Sequence, residues 1–203
     1  MNPIWEENIR NIEKQHLGMD QVDLVFIGSS SIVYWESLKQ DFKAYSVVKA
    51  GFGGSRLQDS IDYFDRIVKV HHPKLVVMFS GTNDLNGEAD SASAEYVLEK
   101  VDEFDTLLKK ELPITGFFYI SLTPAPCRFH VVHEVIKANR LIKHLAKEKG
   151  FTFIDLQSEF LDEGKPKPAL FVEDMLHMND KGYEIWRSAI KPIIDQAMRS
   201  HCL

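Results

Sequence analysis

The sequence predicts a three-layer α/β/α domain built on a parallel sheet of five strands. Apolar runs alternate with longer helical patterns along the whole of the 203 residues. The first run, Leu24 to Ile27, is continuously apolar, as a strand covered on both faces must be. The segments between runs are long enough for the crossover helices that parallel pairing requires.

In chain order, a helix is expected over 2–16 and the first strand over 23–28, ending in Gly28. A short helix over 35–41 leads to the second strand, 45–49. A helix over 57–70 precedes the third strand, 74–80. Ser91 is the candidate N-cap of a helix over 91–110, with Glu95 in its first turn. The fourth strand, 114–121, is followed by a helix over 131–149, which Gly150 stops after Lys147 and Lys149. The fifth strand is 152–155. Gly164, Pro166 and Pro168 mark 161–170 as a surface loop. A last helix covers 180–199, with Asp180 as candidate cap. Right-handed crossovers then place helices on both faces of the sheet.

Composition narrows the function classes. With 44% hydrophobic residues the chain can bury one full core, so 1–203 is expected to be a single domain, with 1–20 as a helical extension. The net charge of −6, without a basic cluster, argues against nucleic acid or an anionic membrane as partner. Cys127 and Cys202 do not make a disulfide framework. The opening segment is polar and acidic, without an apolar signal region. No run is long enough for a membrane-spanning helix. The cytoplasm is the expected location, or the outside of the cell if a leader was removed. His130, His133 and Glu134 lack the order of a zinc-protease motif, and no metal or cofactor is expected.

Four stretches bear chemistry. Gly28-Ser29-Ser30-Ser31 ends the first strand, and serines there are costly unless they have a task. Gly51-Phe52-Gly53-Gly54-Ser55 follows the second strand, and Gly81-Thr82-Asn83-Asp84 follows the third. Asp174-Met175-Leu176-His177 precedes the last helix. Parallel strands bring the first three to one edge of the sheet, where open α/β sheets hold their ligands. A serine hydroxyl needs a base, histidine suits that role near neutral pH, and a carboxylate three residues away can orient the ring. Glycine N–H groups and an asparagine amide can hold an oxyanion. Taken singly, each has a plainer reading. The serines can cap a turn, and Ser31 rivals Ser30 as nucleophile. The glycines can form a tight turn, Asn83 can sit in a left-handed turn, Asp174 can cap a helix, and His177 can be a core histidine.

Together, in this order, the stretches resemble the blocks of the SGNH hydrolases, the GDSL-type esterase and lipase family. The resemblance places the nucleophile at Ser30, the acid at Asp174 and the base at His177. It assigns the oxyanion hole to the backbone N–H groups of Ser30 and Gly54 and the side chain of Asn83. The G-S-S-S-I and G-F-G-G-S runs are similar to a branch that includes platelet-activating-factor acetylhydrolase-like esterases. The resemblance also implies a flavodoxin-like sheet of order 2-1-3-4-5. Ser29 stands where the family usually has aspartate. Arg56, next to the second block, is a candidate contact for a polar or anionic substrate group, or a surface arginine paired with Asp59. Cys127 is a candidate pocket residue.

The expected activity is cleavage of a small-molecule carboxylic ester through an acyl-enzyme. Acetyl esters of a carbohydrate or small alcohol are favoured, because no lid or lipid-like segment accompanies the blocks. Two alternatives stay open at this level: acyl transfer to an alcohol by the same triad, and a flavodoxin-like binding module in which these groups do not converge.

Overall fold

A computed structural model describes residues 2–200. Five parallel strands form the sheet: β1 Leu24–Gly28, β2 Val47–Gly51, β3 Leu75–Phe79, β4 Gly116–Ile120 and β5 Thr152–Ile154. Their order is β2-β1-β3-β4-β5, as expected. Every residue of β1 and β3 is buried, which is why both strands are unbroken apolar runs. The pairing of Leu24 with both Val47 and Leu75 fixes the register at the centre of the sheet.

The helices are α1 Glu6–Gln15, α2 Ser30–Val33, α3 Leu38–Asp41, α4 Leu57–Asp62, α5 Phe64–Ile67, α6 Ala94–Glu111, α7 Val132–Lys149 and α8 Asp180–Ser200. Aromatic side chains join them to the two faces. On one face Phe104 of α6 packs on Phe117 of β4 at 5.4 Å and on Phe64 of α5 at 5.7 Å between ring centroids. On the other, Phe79 of β3 meets Trp186 of α8 at 4.6 Å, and Phe26 of β1 meets Trp35 at 5.7 Å. Register explains the division, because Phe117 pairs with Val76, one residue out of phase with Phe79.

Several boundaries differ from expectation. The helix expected over 57–70 is split at Tyr63 and ends in a 3-10 turn, Lys69–His71. The break turns Tyr63, Phe64, Ile67 and Val68 inward together and lets the Tyr63 hydroxyl donate to the Asn2 carbonyl at 2.7 Å. Ser93, not Ser91, caps α6: its backbone is extended and its side chain accepts from the Tyr96 N–H at 3.2 Å. Ser91 instead accepts from the Gly87 N–H within the preceding loop. At α8 the cap is Asn179, whose side-chain oxygen accepts from the N–H groups of Lys181 and Gly182. Gly150 ends α7 in the left-handed conformation, as its position predicts. The loop at 161–170 carries a two-residue-per-strand hairpin, β6 Leu161–Asp162 with β7 Lys165–Pro166. Cys202 lies outside the described residues.

Candidate active site

The serine cluster sits at the carboxyl end of β1, and its geometry separates the three. A Cβ on Gly28 would lie 2.0 Å from the Phe79 carbonyl oxygen, so only glycine lets β1 end this close to β3. Ser29 is buried, and its carbonyl accepts from the N–H groups of Ile32 and Val33, which starts α2. The Ser31 carbonyl accepts from the Tyr183 hydroxyl at 2.9 Å, tying the segment to α8. Ser30 is the first residue of α2, and its Oγ lies 3.0 Å from His177 Nε2.

His177 is held by a closed loop. Its Nδ1 lies 2.6 Å from Asp174 Oδ2, while Asp174 Oδ1 accepts from the N–H groups of Leu176 and His177 at 2.8 and 2.9 Å. Met175 takes φ of 56°, a left-handed conformation costly for a non-glycine residue. That turn lets one carboxylate cap the loop and reach the ring at once. Burial opposes ionisation of Asp174, but hydrogen bonds from the backbone and ring of His177 and from the Leu176 N–H hold its pKa down to about 2. An ionised Asp174 fixes the Nδ1 proton on its own side of the ring and leaves Nε2 free to accept from Ser30. Tyr34 packs edge-on against the ring at 4.9 Å between centroids.

The turn after β2 and Asn83 lie beside Ser30. A Cβ on Gly53 would lie 3.9 Å from the Ser30 Cβ, which sets the turn after β2 against Ser30. Gly54 has φ of 85°, and a Cβ there would sit 3.1 Å from the Trp5 ring. The N–H groups of Ser30 and Gly54 meet no backbone acceptor among the described residues. Asn83 Nδ2 donates to the Ser55 carbonyl at 3.0 Å. Asn83 Oδ1 accepts from both terminal nitrogens of Arg128, each at 3.3 Å.

Two cavities meet at His177. The inner one is ≈ 30 Å³, with Phe79, Leu85, Ala125, Val135, Thr123 and Arg128 in its walls beside Ser30 and Asn83. The Thr123 hydroxyl there is buried and has no hydrogen-bond partner among the described residues. The outer one is an open cleft of ≈ 1020 Å³ bordered by Tyr34, Glu36, Asp41, Val172 and Glu184.

The structure thus brings Ser30, Asn83, Asp174 and His177 together, which the binding-module alternative does not predict. Arg56 behaves otherwise: its guanidinium pairs with Asp90 at 2.5 Å, and it does not line the inner cavity. Asp59 accepts only its backbone N–H. Cys127 is exposed and outside the inner cavity, and partial desolvation pushes its thiol pKa up. Arg128 carries no motif and is not singled out by sequence. Arg128 and Thr123 follow β4, and the end of that strand shares the sheet edge with the other blocks.

The GDSL-like lipase/acylhydrolase family matches residues 28–185, from the glycine before the serines into the last helix. This chain belongs to that family. Its members' reaction, hydrolysis of a carboxylic ester, is accordingly the class of activity to which this acylhydrolase belongs. No curated protein matches its sequence. Among solved structures, a Bacteroides fragilis protein assigned as an acylhydrolase superposes with a TM-score of 0.82 at 21% identity, covering 93% of this chain and 96% of that one. A Streptococcus pneumonia protein assigned as a platelet activating factor gives 0.77 at 16% identity, covering 96% and 100%. A catalytic variant of an acetylxylan esterase from Geobacillus stearothermophilus gives 0.63 at 19% identity, covering 86% and 94%. At these identities the likeness is one of fold.

Proposed function

We propose that this acylhydrolase is a serine esterase that removes short acyl groups, acetyl foremost, from a carbohydrate or small alcohol. The observation that carries the reading is the unbroken line from Asp174 through His177 to Ser30, opening on a cavity of ≈ 30 Å³. An enclosed space beside Ser30 walled by Phe79, Leu85, Ala125 and Val135 favours a short acyl group over a long alkyl chain.

Ser30 Oγ attacks the ester carbonyl as His177 Nε2 takes its proton. The N–H groups of Ser30 and Gly54 and the second amide proton of Asn83 hold the oxyanion. His177 returns the proton to the departing alcohol, leaving the acyl group on Ser30. Water, activated by the same ring, then releases the acid. The acyl methyl occupies the inner cavity. The alcohol leaves through the open cleft, where the half-exposed Tyr34 ring offers a face and Glu36 and Asp41 offer acceptors for hydroxyl groups.

The test is a series of p-nitrophenyl esters of rising chain length together with acetylated sugars, wild type against Ser30→Ala. Rates should peak at acetyl and vanish in the variant. A peak at long chains overturns the acyl assignment. Full labelling of Ser30→Ala by a fluorophosphonate probe overturns the nucleophile.

A further inference from the structure

We propose that Arg128 is a positioning residue of the oxyanion side, acting through Asn83. This rests on the reading of Asn83 as an oxyanion donor.

A side-chain amide has one accepting end and one donating end of nearly the same shape. Asn83 can serve an oxyanion only if Nδ2 faces Ser30 across the inner cavity, so something must prevent the flipped orientation. Two contacts do so. Nδ2 donates one proton to the Ser55 carbonyl, and Oδ1 faces both terminal nitrogens of Arg128. Flipping the amide sets its NH2 against a guanidinium and its oxygen against a carbonyl, so both contacts become repulsive. Asn83 Nδ2 keeps a second proton for the inner cavity, which Asn83 lines with Ser30.

Arg128 is itself fixed. Its Nη1 donates to the Thr82 carbonyl at 2.8 Å, gripping the peptide next to Asn83. Among the described residues the hydrogen bonds of its guanidinium go to carbonyl oxygens alone, so no bonded carboxylate there neutralises its charge. A cation behind the amide oxygen draws electron density from Nδ2 and strengthens its N–H as a donor in a poorly solvated site. The neighbouring residue completes the arrangement. The Cys127 N–H donates to the Met175 carbonyl at 3.0 Å, inside the loop that carries Asp174 and His177. One dipeptide in the turn Pro126–Val131 therefore holds the oxyanion loop with a side chain and the acid–base loop with its backbone.

A double-mutant cycle tests this. Arg128→Met keeps the packing of the stem and removes the charge and donors. On a neutral acetate ester it should lower kcat about 10- to 100-fold with KM nearly unchanged, approaching the loss of a hole donor. Added to Asn83→Ala, it should cost less than about threefold, because the residue it acts through is gone. Arg128→Lys should recover part of kcat. Full additivity of the two losses overturns the proposal, as does a loss confined to KM or to anionic esters, which would make Arg128 a substrate arm. No loss on Asn83→Ala alone overturns the underlying reading instead. A readout that needs no turnover is the pair of Asn83 side-chain amide protons in nuclear magnetic resonance. They should be shifted and faster to exchange in Arg128→Met, and unchanged signals overturn the proposal.

Discussion

His177 Nε2 lies 3.0 Å from Ser30 Oγ although 147 residues of chain separate them. The contact joins the carboxyl end of the inner strand β1 to the loop before α8, and Tyr183 of α8 bonds the backbone beside it. If Ser30 is the nucleophile, Ser30→Ala should lower kcat on an acetate ester on the order of 10⁴-fold or more. Ser31→Ala should keep most of the activity, since the Ser31 contact to Tyr183 is made by its carbonyl. Steady-state rates with both variants decide between the two serines.

Asp174 should mark itself in the pH dependence of both activity and stability. Its folded pKa, about 2, lies below the unfolded value near 3.9. A depressed carboxyl pKa contributes stability above the unfolded value, and that contribution is lost as pH falls through the folded one. The window runs from about pH 4 to about pH 2. Urea midpoints of Asp174→Asn should therefore change less across it than those of the wild type. The same variant should lose on the order of 10⁴-fold in kcat at neutral pH, because the amide no longer fixes the ring proton.

Asp84 titrates in the opposite sense. Its carboxyl is buried, Oδ2 accepts from the Leu57 N–H at 3.1 Å, and Oδ1 has no partner among the described residues. Burial pushes its pKa up to about 6, against the Leu57 hydrogen bond and the charge of Arg56, with Asp59 adding to the rise. A raised folded pKa means stability is full below the unfolded value near 3.9 and is lost as pH climbs through about 6. The shift corresponds to about 3 kcal/mol at 1.36 kcal/mol per unit. Asp84→Asn keeps an acceptor for Leu57 without the charge. It should be more stable than wild type by about 1–3 kcal/mol at pH 7.5 and no more stable at pH 4, measured by urea unfolding.

The five strands and the four blocks were legible because each rests on a local signal: buried parallel strands are continuous apolar runs, and chemistry-bearing residues stand at their ends or in loops, whereas the strand order came from the family resemblance. What the chain hid is set by distant contacts. Ser91 and Ser93 are equivalent in the run Ser91-Ala92-Ser93-Ala94, and only the backbone at Ser93 decides which one caps. Arg56 stands two residues after Gly54 in sequence, yet its side chain pairs with Asp90. Arg128 has no motif, and its place beside Asn83 depends on where the turn after β4 folds back. Its position just past the end of a parallel strand was the one available signal.

The inner cavity makes the last prediction. Val135 of α7 is buried and forms part of its wall with Leu85 and Phe79. Removing two methyl groups there should lengthen the space in line with the acyl methyl while leaving Ser30, His177 and Asn83 in place. Val135→Ala should raise the ratio of butyryl to acetyl kcat/KM by about 10-fold, since one accommodated methylene is worth roughly 1–3 kcal/mol in a hydrophobic pocket. The acetyl rate itself should fall only modestly, because the acetyl group fills the enlarged cavity less well. Competition between the two p-nitrophenyl esters gives the ratio directly. An unchanged ratio would mean that the acyl chain does not enter between Val135 and Ser30.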